Sequence, residues 1–494
     1  MKNLLVAFVL AATMATAQDF STLTKQTKVF KLKNGLTIIV AHRGDVPVFS
    51  YYAIVDAGSA DDPEGLSGLA HMMEHMAFKG TESIGSKDWK SEQQALTRLE
   101  DVSFAYERRQ KEHPPDGDQE LARLKMAFNS AVTEADRYSD GNRISDVIEE
   151  AGGQGLNATT SMDETSYFYS LPSSKLDLWA KLESQRFQNP VMRGFYHERD
   201  VVLEERLTRI ENRPLGHLME ELLATAYSQH PYGHPGMGTQ AGVGQLTAAE
   251  AYDFFSKYYV PSNTTIAIVG DVNVSRVRAL ARQYFAKLPA KKKPLLLDVV
   301  EPKQIAEHSY VEKRRSGSIY VEGYHRPACH DPSDPVLAVM ANLLFDGRGA
   351  RMNSDLVEQK RVATTASGFD GLPGRKYPSL FGFYVVPAAG HSIHEVQSAV
   401  QEEIDRLRTE NVSEEELSAA KMRIKTRVVR DLTANTGIAR ELATYQVRYG
   451  SWKQLFTWLD QVDRITETDV RNVAARTFMT SNRTIAVLES TADK

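Results

Sequence analysis

Two histidines and a glutamate early in the chain, His71, Glu74 and His75, have the types and spacing that metal-dependent hydrolysis requires. They lie in Gly68-Leu69-Ala70-His71-Met72-Met73-Glu74-His75-Met76-Ala77-Phe78, a run of helical character. Helix positions i and i+4 share a face, so both imidazoles project together. Two imidazoles one turn apart suit a single divalent ion, most often zinc in such sites. Glu74, three residues after His71, reaches toward the same side, where a carboxylate can take a proton from a metal-activated water. The order H-x-x-E-H is the reverse of H-E-x-x-H. Taken alone, the five residues are equally consistent with an amphipathic helix that uses them in packing, because short patterns recur by chance.

A second helix supplies the candidate third ligand. The stretch from Phe195 to Asn212 reads FYHERDVVLEERLTRIEN. Glu198 and Glu205 are seven positions apart, which places them within about 20° of each other around the helix axis. Glu204 points about 120° away from Glu198. If a ligand comes from this helix, Glu205 backed by Glu198 is the sensible pair; otherwise both are solvated glutamates on a charged helix. His197 faces another way. His230 and His234 fall in the turn-rich HPYGHPGMG and read as structural.

The elements that must position these groups follow from periodicity. Val29 to Val40 reads as a hairpin around Asn34-Gly35, a strong two-residue turn signal. Val48 to Ala57 reads as a strand, and the glycine-rich loop 58–68 delivers it into the H-x-x-E-H helix. Two charged amphipathic stretches, 96–109 and 119–138, flank His113-Pro114-Pro115-Asp116-Gly117 and read as a helical hairpin. Asn157-Ala158-Thr159-Thr160 and Glu164 to Tyr169 read as strands, and Ser174 to Gln188 as a helix.

An internal repeat sets the domain plan. Leu246 to Asp271 (LTAAEAYDFFSKYYVPSNTTIAIVGD) and Ile465 to Ser490 (ITETDVRNVAARTFMTSNRTIAVLES) share a capped helix, an aromatic end, Ser-Asn and a β-branched strand. Thr247 with Glu250 forms a capping box, and Thr466 with Asp469 a shorter-armed version. The expectation is an α+β protein of two homologous α/β-layered halves, each a mixed sheet with helices, facing each other around a cavity. The expected boundaries are 18–288 for a catalytic half with a helical insertion at about 99–143, a linker at 289–302 containing Lys291-Lys292-Lys293, and 303–494 for a half without ligands. At the place of H-x-x-E-H the second half offers only Ala338 to Phe345, followed by Gly347-Arg348-Gly349-Ala350-Arg351.

Bulk properties narrow the function. The 494 residues are 42% hydrophobic and 25% charged, ample for large cores. A net charge of -5 argues against a nucleic-acid surface. The single cysteine, Cys329, excludes an intrachain disulfide and a thiolate metal cage. Residues 1–17 read as a cleavable signal: Lys2, an apolar run from Leu4 to Ala12 and Ala15-Thr16-Ala17 before Gln18. The mature chain is expected to be exported and soluble, in a periplasm or outside the cell, without stable membrane insertion. No G-x-x-x-x-G-K-[ST] or G-x-G-x-x-G is present, and the looser G-x-G-x-x-A matches at Gly153 and Gly236 fall in loops.

The chain resembles the pitrilysin/insulinase family of zinc peptidases, the inverzincins, and its two-domain members akin to mitochondrial processing peptidase. The resemblance runs from Phe30-Lys31-Leu32-Lys33-Asn34-Gly35-Leu36 to Ser481-Asn482-Arg483-Thr484-Ile485. Its most specific pieces are residues 65–81 around H-x-x-E-H, Asn157-Ala158-Thr159-Thr160 and Glu198-Arg199-Asp200-Val201-Val202-Leu203-Glu204-Glu205, with Gly349 to Leu356 in the second half. The resemblance implies His71, His75 and Glu205 as ligands of one zinc ion per chain. It also implies Glu74 as general base and Glu198 as a supporting carboxylate of the catalytic centre. Asn157 and Ala158 would lie on an edge strand that pairs with the substrate backbone. The gap between His75 and Glu205 exceeds the family's usual one by the helical hairpin. Larger single-chain members carry a substrate-holding Arg and Tyr in their C-terminal part. The strand to match, Leu380 to Val386, has no Arg, so a partner subunit is expected to supply such groups, in a homo- or heterodimer. The resulting expectation is a zinc endopeptidase acting on peptides or unfolded segments. The rivals are a non-catalytic subunit or scaffold of a peptidase-like heterodimer and a zinc hydrolase of non-peptide substrates.

Overall fold

The computed structural model describes residues 21–44, 46–112, 117–141, 143–347 and 349–491. The leader read at 1–17 lies outside them. The chain forms two compact units. One holds residues up to Arg206 with Gly236–Leu296 and Asn435–Thr444; the other holds Leu207–Pro235, Leu297–Ala434 and residues from Tyr445 onward.

The first unit is built on a six-stranded sheet: β1 (Thr27–Lys31), β2 (Thr37–His42), β3 (Val48–Val55), β4 (Gln154–Thr160), β5 (Thr165–Pro172) and β6 (Thr264–Gly270), in the order β1-β2-β6-β3-β5-β4. Only β2 and β6 run parallel; the other neighbours are antiparallel. The central strands read as continuous β-branched and aromatic runs because both faces are covered: all seven residues of β6 are buried, as are seven of the eight in β3. The edge strand β4 is mostly exposed. Its helices are α1 (Leu69–Met76), α2 (Trp89–Lys111), α3 (Gln119–Asp136), α4 (Arg143–Glu150), α5 (Leu176–Gln188) and α6 (Phe195–Arg206), followed by Ala248–Tyr258 and Val274–Tyr284. A buried carboxylate ties α5 to the sheet: Glu183 accepts from the hydroxyls of Tyr51 on β3 and Tyr169 on β5, both at 2.8 Å. Satisfied in this way, a buried acid orients its helix without an unpaired charge.

The second unit carries β7 (His308–Arg314), β8 (Ile319–Arg326), β9 (Ala363–Leu372), β10 (Ser379–Pro387) and β11 (Arg483–Ser490), in the order β7-β11-β8-β10-β9. Its one parallel pair is β7 with β11. Replacing β2 to β6 by β7 to β11 reproduces both the strand order and the pair directions of the first sheet, so the duplication extends to topology. The repeat agrees in detail. Thr247 caps Ala248–Tyr258 and Thr466 caps Glu467–Thr477, each in a complete capping box. Asn263 donates to the carbonyls of Tyr258 (3.0 Å) and Asp56 (3.3 Å). Asn482 donates to Thr477 and His325, both at 2.9 Å. In each half, one asparagine amide thus brackets a helix end and the neighbouring strand.

One expectation is refined. The first hairpin turns at Asn34-Gly35 as expected but through three residues rather than two: beyond the Lys31–Thr37 pair, Leu32 N donates to Leu36 O at 2.9 Å and Gly35 N closes the turn on Leu32 O at 3.0 Å. Asn34 both shapes that turn and anchors it: its Oδ1 accepts from Leu36 N at 3.4 Å, and its amide donates to Phe285 O (2.8 Å) and Leu288 O (3.1 Å). Within the lysine run of the linker, Lys291 bonds Ser256 O at 2.9 Å and Lys293 pairs with Asp56 at 2.6 Å, so those two lysines fasten this stretch to the first unit. No helix among the described residues is long and apolar enough to cross a membrane.

Candidate metal centre

α1 is entered through the N-cap Gly68, whose φ of 92° lies in the left-handed region that a side chain disfavours. A Cβ there would come within 2.8 Å of Met237 O. Gly68 offers no capping side chain, and the acceptor comes from upstream: Asp62 receives the backbone N–H groups of Gly68 (2.7 Å) and Ala70 (2.8 Å). Its carboxylate therefore sits at the helix N-terminus, where the peptide dipoles favour negative charge. Burial pushes the Asp62 carboxyl up to about 7, against the pull of the Ala70, Gly68 and Leu69 amides. Leu69, Ala70, Met72, Met73 and Met76 are buried and press α1 into the core.

His71 is buried and His75 half-buried, their rings 4.9 Å apart and nearly perpendicular. Both turn Nε2 toward one oxygen on α6: Glu205 Oε2 lies 3.6 Å from His71 Nε2 and 3.2 Å from His75 Nε2. One ligand atom from each of the three groups falls within 4.8 Å of the others. Around an ion with bonds of ~2.0–2.2 Å, the edges of a coordination tetrahedron measure ~3.3–3.6 Å. Two imidazoles and a carboxylate at these separations fit zinc. Glu204, one position earlier, is exposed.

Glu198 lies one layer out. It meets His75 Nδ1 at 3.1 Å and pairs with Lys79 just beyond α1. A carboxylate on Nδ1 holds the proton there and leaves Nε2 as the free donor atom, the usual support for a metal-binding imidazole. Burial raises the Glu198 carboxyl, but its bonds to His75 and Lys79 outweigh that and hold it below the ordinary value. Burial lowers His75, and its bonds to Glu198 and Glu205 more than compensate, taking it up to about 9. Glu74 is half-buried on α1; its charge adds to burial in raising the phenols of Tyr167 and Tyr259, which bond each other at 2.7 Å.

Asn157 and Ala158 lie on the edge strand β4, against which α1 packs. Asn157 is exposed and Ala158 buried, and Asn157 Oδ1 accepts from the Ala158 amide at 2.9 Å. The structure therefore gathers His71, His75, Glu205 and Glu198, with Glu74 on the same short helix, and puts Asn157 and Ala158 on the neighbouring strand. Sequence reasoning did not single out Asp62, Lys79 or the latch made by Arg193. The Arg193 guanidinium is buried, holds Glu92 (2.9 Å to Oε2) and gathers the carbonyls of Thr81 and Ile84 at 3.3 Å each. It stands two residues before α6 and fixes the segment that leaves α1. The proximity of Lys79 to the H-x-x-E-H run was the one available signal; Asp62 and Arg193 act across loops of no fixed spacing.

Residues 40–100 and 124–240 match the model for insulinase (peptidase family M16), and residues 245–424 match the model for the peptidase M16 inactive domain. Residues 101–123, the tip side of the α2–α3 hairpin, fall outside both. The zinc protease PqqE of Helicobacter pylori is 26% identical over 430 residues, covering 84% of this chain and 82% of that one. A probable mitochondrial-processing peptidase subunit beta of Arabidopsis thaliana is 23% identical over 466 residues, covering 90% and 76%. Among solved structures, a protease from Helicobacter pylori superposes with a TM-score of 0.78 at 23% identity, covering 94% of this chain and 99% of that one. The periplasmic protease PqqL from Escherichia coli gives 0.67 at 16% identity, covering 94% and 47%.

Proposed function

Because the chain belongs to the insulinase family of peptidases, peptidase family M16, we propose that it is a zinc-dependent endopeptidase acting on peptides or unfolded segments. The observation that carries this reading is the convergence of His71 Nε2, His75 Nε2 and Glu205 Oε2 beside Glu74. His71, His75 and Glu205 would hold one zinc ion. When bound, zinc supplies a Lewis acid that polarises the scissile carbonyl and acidifies water. Glu74 accepts the proton of the attacking water on a carboxylate oxygen and delivers it to the departing amine nitrogen. Glu198 keeps the proton of His75 on Nδ1, and Lys79 steadies Glu198. The substrate backbone adds to the outer edge of β4, where its carbonyl takes the Ala158 amide from Asn157. Export through the leader at 1–17 to a periplasm or the exterior, and a related partner subunit, belong to the same reading.

The test is digestion of a peptide library by the purified chain with and without a chelator, beside Glu74→Gln. Loss of a general base lowers turnover by about 10²–10⁴-fold, while the variant keeps its zinc. Full turnover in chelator, or in Glu74→Gln, overturns the assignment. A chain that binds zinc and cleaves no peptide would instead be the scaffold subunit.

A further inference from the structure

The α2–α3 hairpin encloses, with α6, a cavity of about 660 Å³ in the first unit, separate from the metal centre. That size is within the ~300–1,000 Å³ of small-molecule sites. Four of its lining residues, Tyr106, Glu107, Gln110 and Lys111, lie in the 101–123 segment, so this wall is not part of the family match. One side is aromatic: Tyr106 and Phe128 stack with centroids 5.6 Å apart. Arg199 and Lys111 bring two cations and Glu107 one carboxylate. Arg199 lies with its guanidinium 5.0 Å from the Tyr196 ring and Nη1 bonded to Leu246 O at 3.1 Å. Its buried Nε has no hydrogen-bond partner among the described residues. Burial raises the Glu107 carboxyl, opposed by the Ser103 hydroxyl and the Arg199 charge. An aromatic wall flanked by charges of both signs matches a ligand with a ring, a carboxylate and an ammonium close together.

We propose that this cavity binds a free aromatic amino acid, or a dipeptide carrying one, through its ring and both of its charges. The ring packs on Tyr106 and Phe128, the carboxylate meets Arg199 and Lys111, and the ammonium meets Glu107. The site is independent of the peptidase reading. Arg199 is, however, the residue after Glu198 on α6, so an occupant would bear on the helix that carries two groups of the metal centre.

The experiment is calorimetric titration of the full chain with L-phenylalanine, the dipeptide Gly-Phe, 3-phenylpropionate and phenethylamine. L-Phenylalanine or Gly-Phe should saturate with a dissociation constant below about 1 mM. The tighter of the two identifies a free amino acid or a dipeptide as the source. The two analogues, each lacking one charge, should bind about tenfold more weakly or worse. Arg199→Met should abolish binding. Gln110→Trp should do the same by filling the cavity from an exposed position, whatever Arg199→Met does to folding. No saturation with either zwitterion by about 10 mM, equal affinity for the singly charged analogues, or unchanged binding in a folded Gln110→Trp would each overturn the proposal.

Discussion

Replacing Glu198 by glutamine probes the metal centre without touching a proposed ligand. The amide keeps the shape and an oxygen near His75 Nδ1, now 3.1 Å away, but removes the negative charge and the ion pair with Lys79. Hydrogen bonds to an ionised partner contribute ~1.5–3 kcal/mol against ~0.5–1.5 for neutral ones. The substitution therefore forfeits on the order of 1 kcal/mol at the Nδ1 contact, and more once Lys79 loses its counter-charge. At ~1.4 kcal/mol per factor of ten, zinc affinity should fall about tenfold. Glu198→Ala deletes the acceptor and should move the loss toward ~100-fold, the upper range for such outer carboxylates. Competition for zinc against a chromogenic chelator at fixed pH reads both values, with circular dichroism to confirm that the variants are folded. If both hold zinc within twofold of the wild type, Glu198 is a solvated neighbour and the orienting role fails.

Asp62→Ala strips the acceptor from two amides at the start of α1 and should cost about 2 kcal/mol. That corresponds to a drop in Tm of ~4–8 °C by calorimetry; a change under about 1 °C would deny Asp62 its capping role. Glu100 gives a pH prediction. Burial raises its carboxyl to about 7 from 4.5, against the Tyr196 hydroxyl and with help from the Glu107 charge. The native chain then keeps a proton that the unfolded chain releases. The stability tied to Glu100 is complete below about 4.5 and is lost as pH rises through about 7. Glu100→Gln should flatten the Tm–pH curve between those values and raise stability at pH 8 by on the order of 2 kcal/mol; parallel curves for variant and wild type would refute it.

What the sequence disclosed depended on whether a physical rule had fixed spacing. The histidines of α1 were legible because helix geometry puts i and i+4 on one face, and the choice of Glu205 over Glu204 followed from the same rule. The repeat was legible because Thr-x-x-acid and Ser-Asn-x-Thr recur with their strands. The order β2-β6-β3-β5-β4 was not, since which strands pair depends on chain reversals that leave no periodic trace. Asp62, Lys79 and Arg193 escaped for a related reason. Each serves a partner across a loop or on another helix, and in sequence each looks like an ordinary charged surface residue. Asn34 was legible as a turn former, but its inward amide bonds were not, because a turn asparagine that also anchors a distant loop shows the same letters.

The Arg193 latch bears on how the chain can vary. By gripping Glu92 and the carbonyls of Thr81 and Ile84 immediately before α6 begins, it closes a ring at the foot of the α2–α3 hairpin. Beyond that ring the hairpin still leans on α6, with the Tyr196 hydroxyl donating to Ser103 at 2.7 Å and His197 meeting Asp136 at 2.7 Å, but the ring sets where the chain re-enters α6 whatever the length of the hairpin. The long separation between His75 and Glu205 therefore sets no constraint on their meeting. Residues can be added or removed at the far end of the hairpin as freely as beads beyond a knot, while a change at Arg193 would loosen the knot itself.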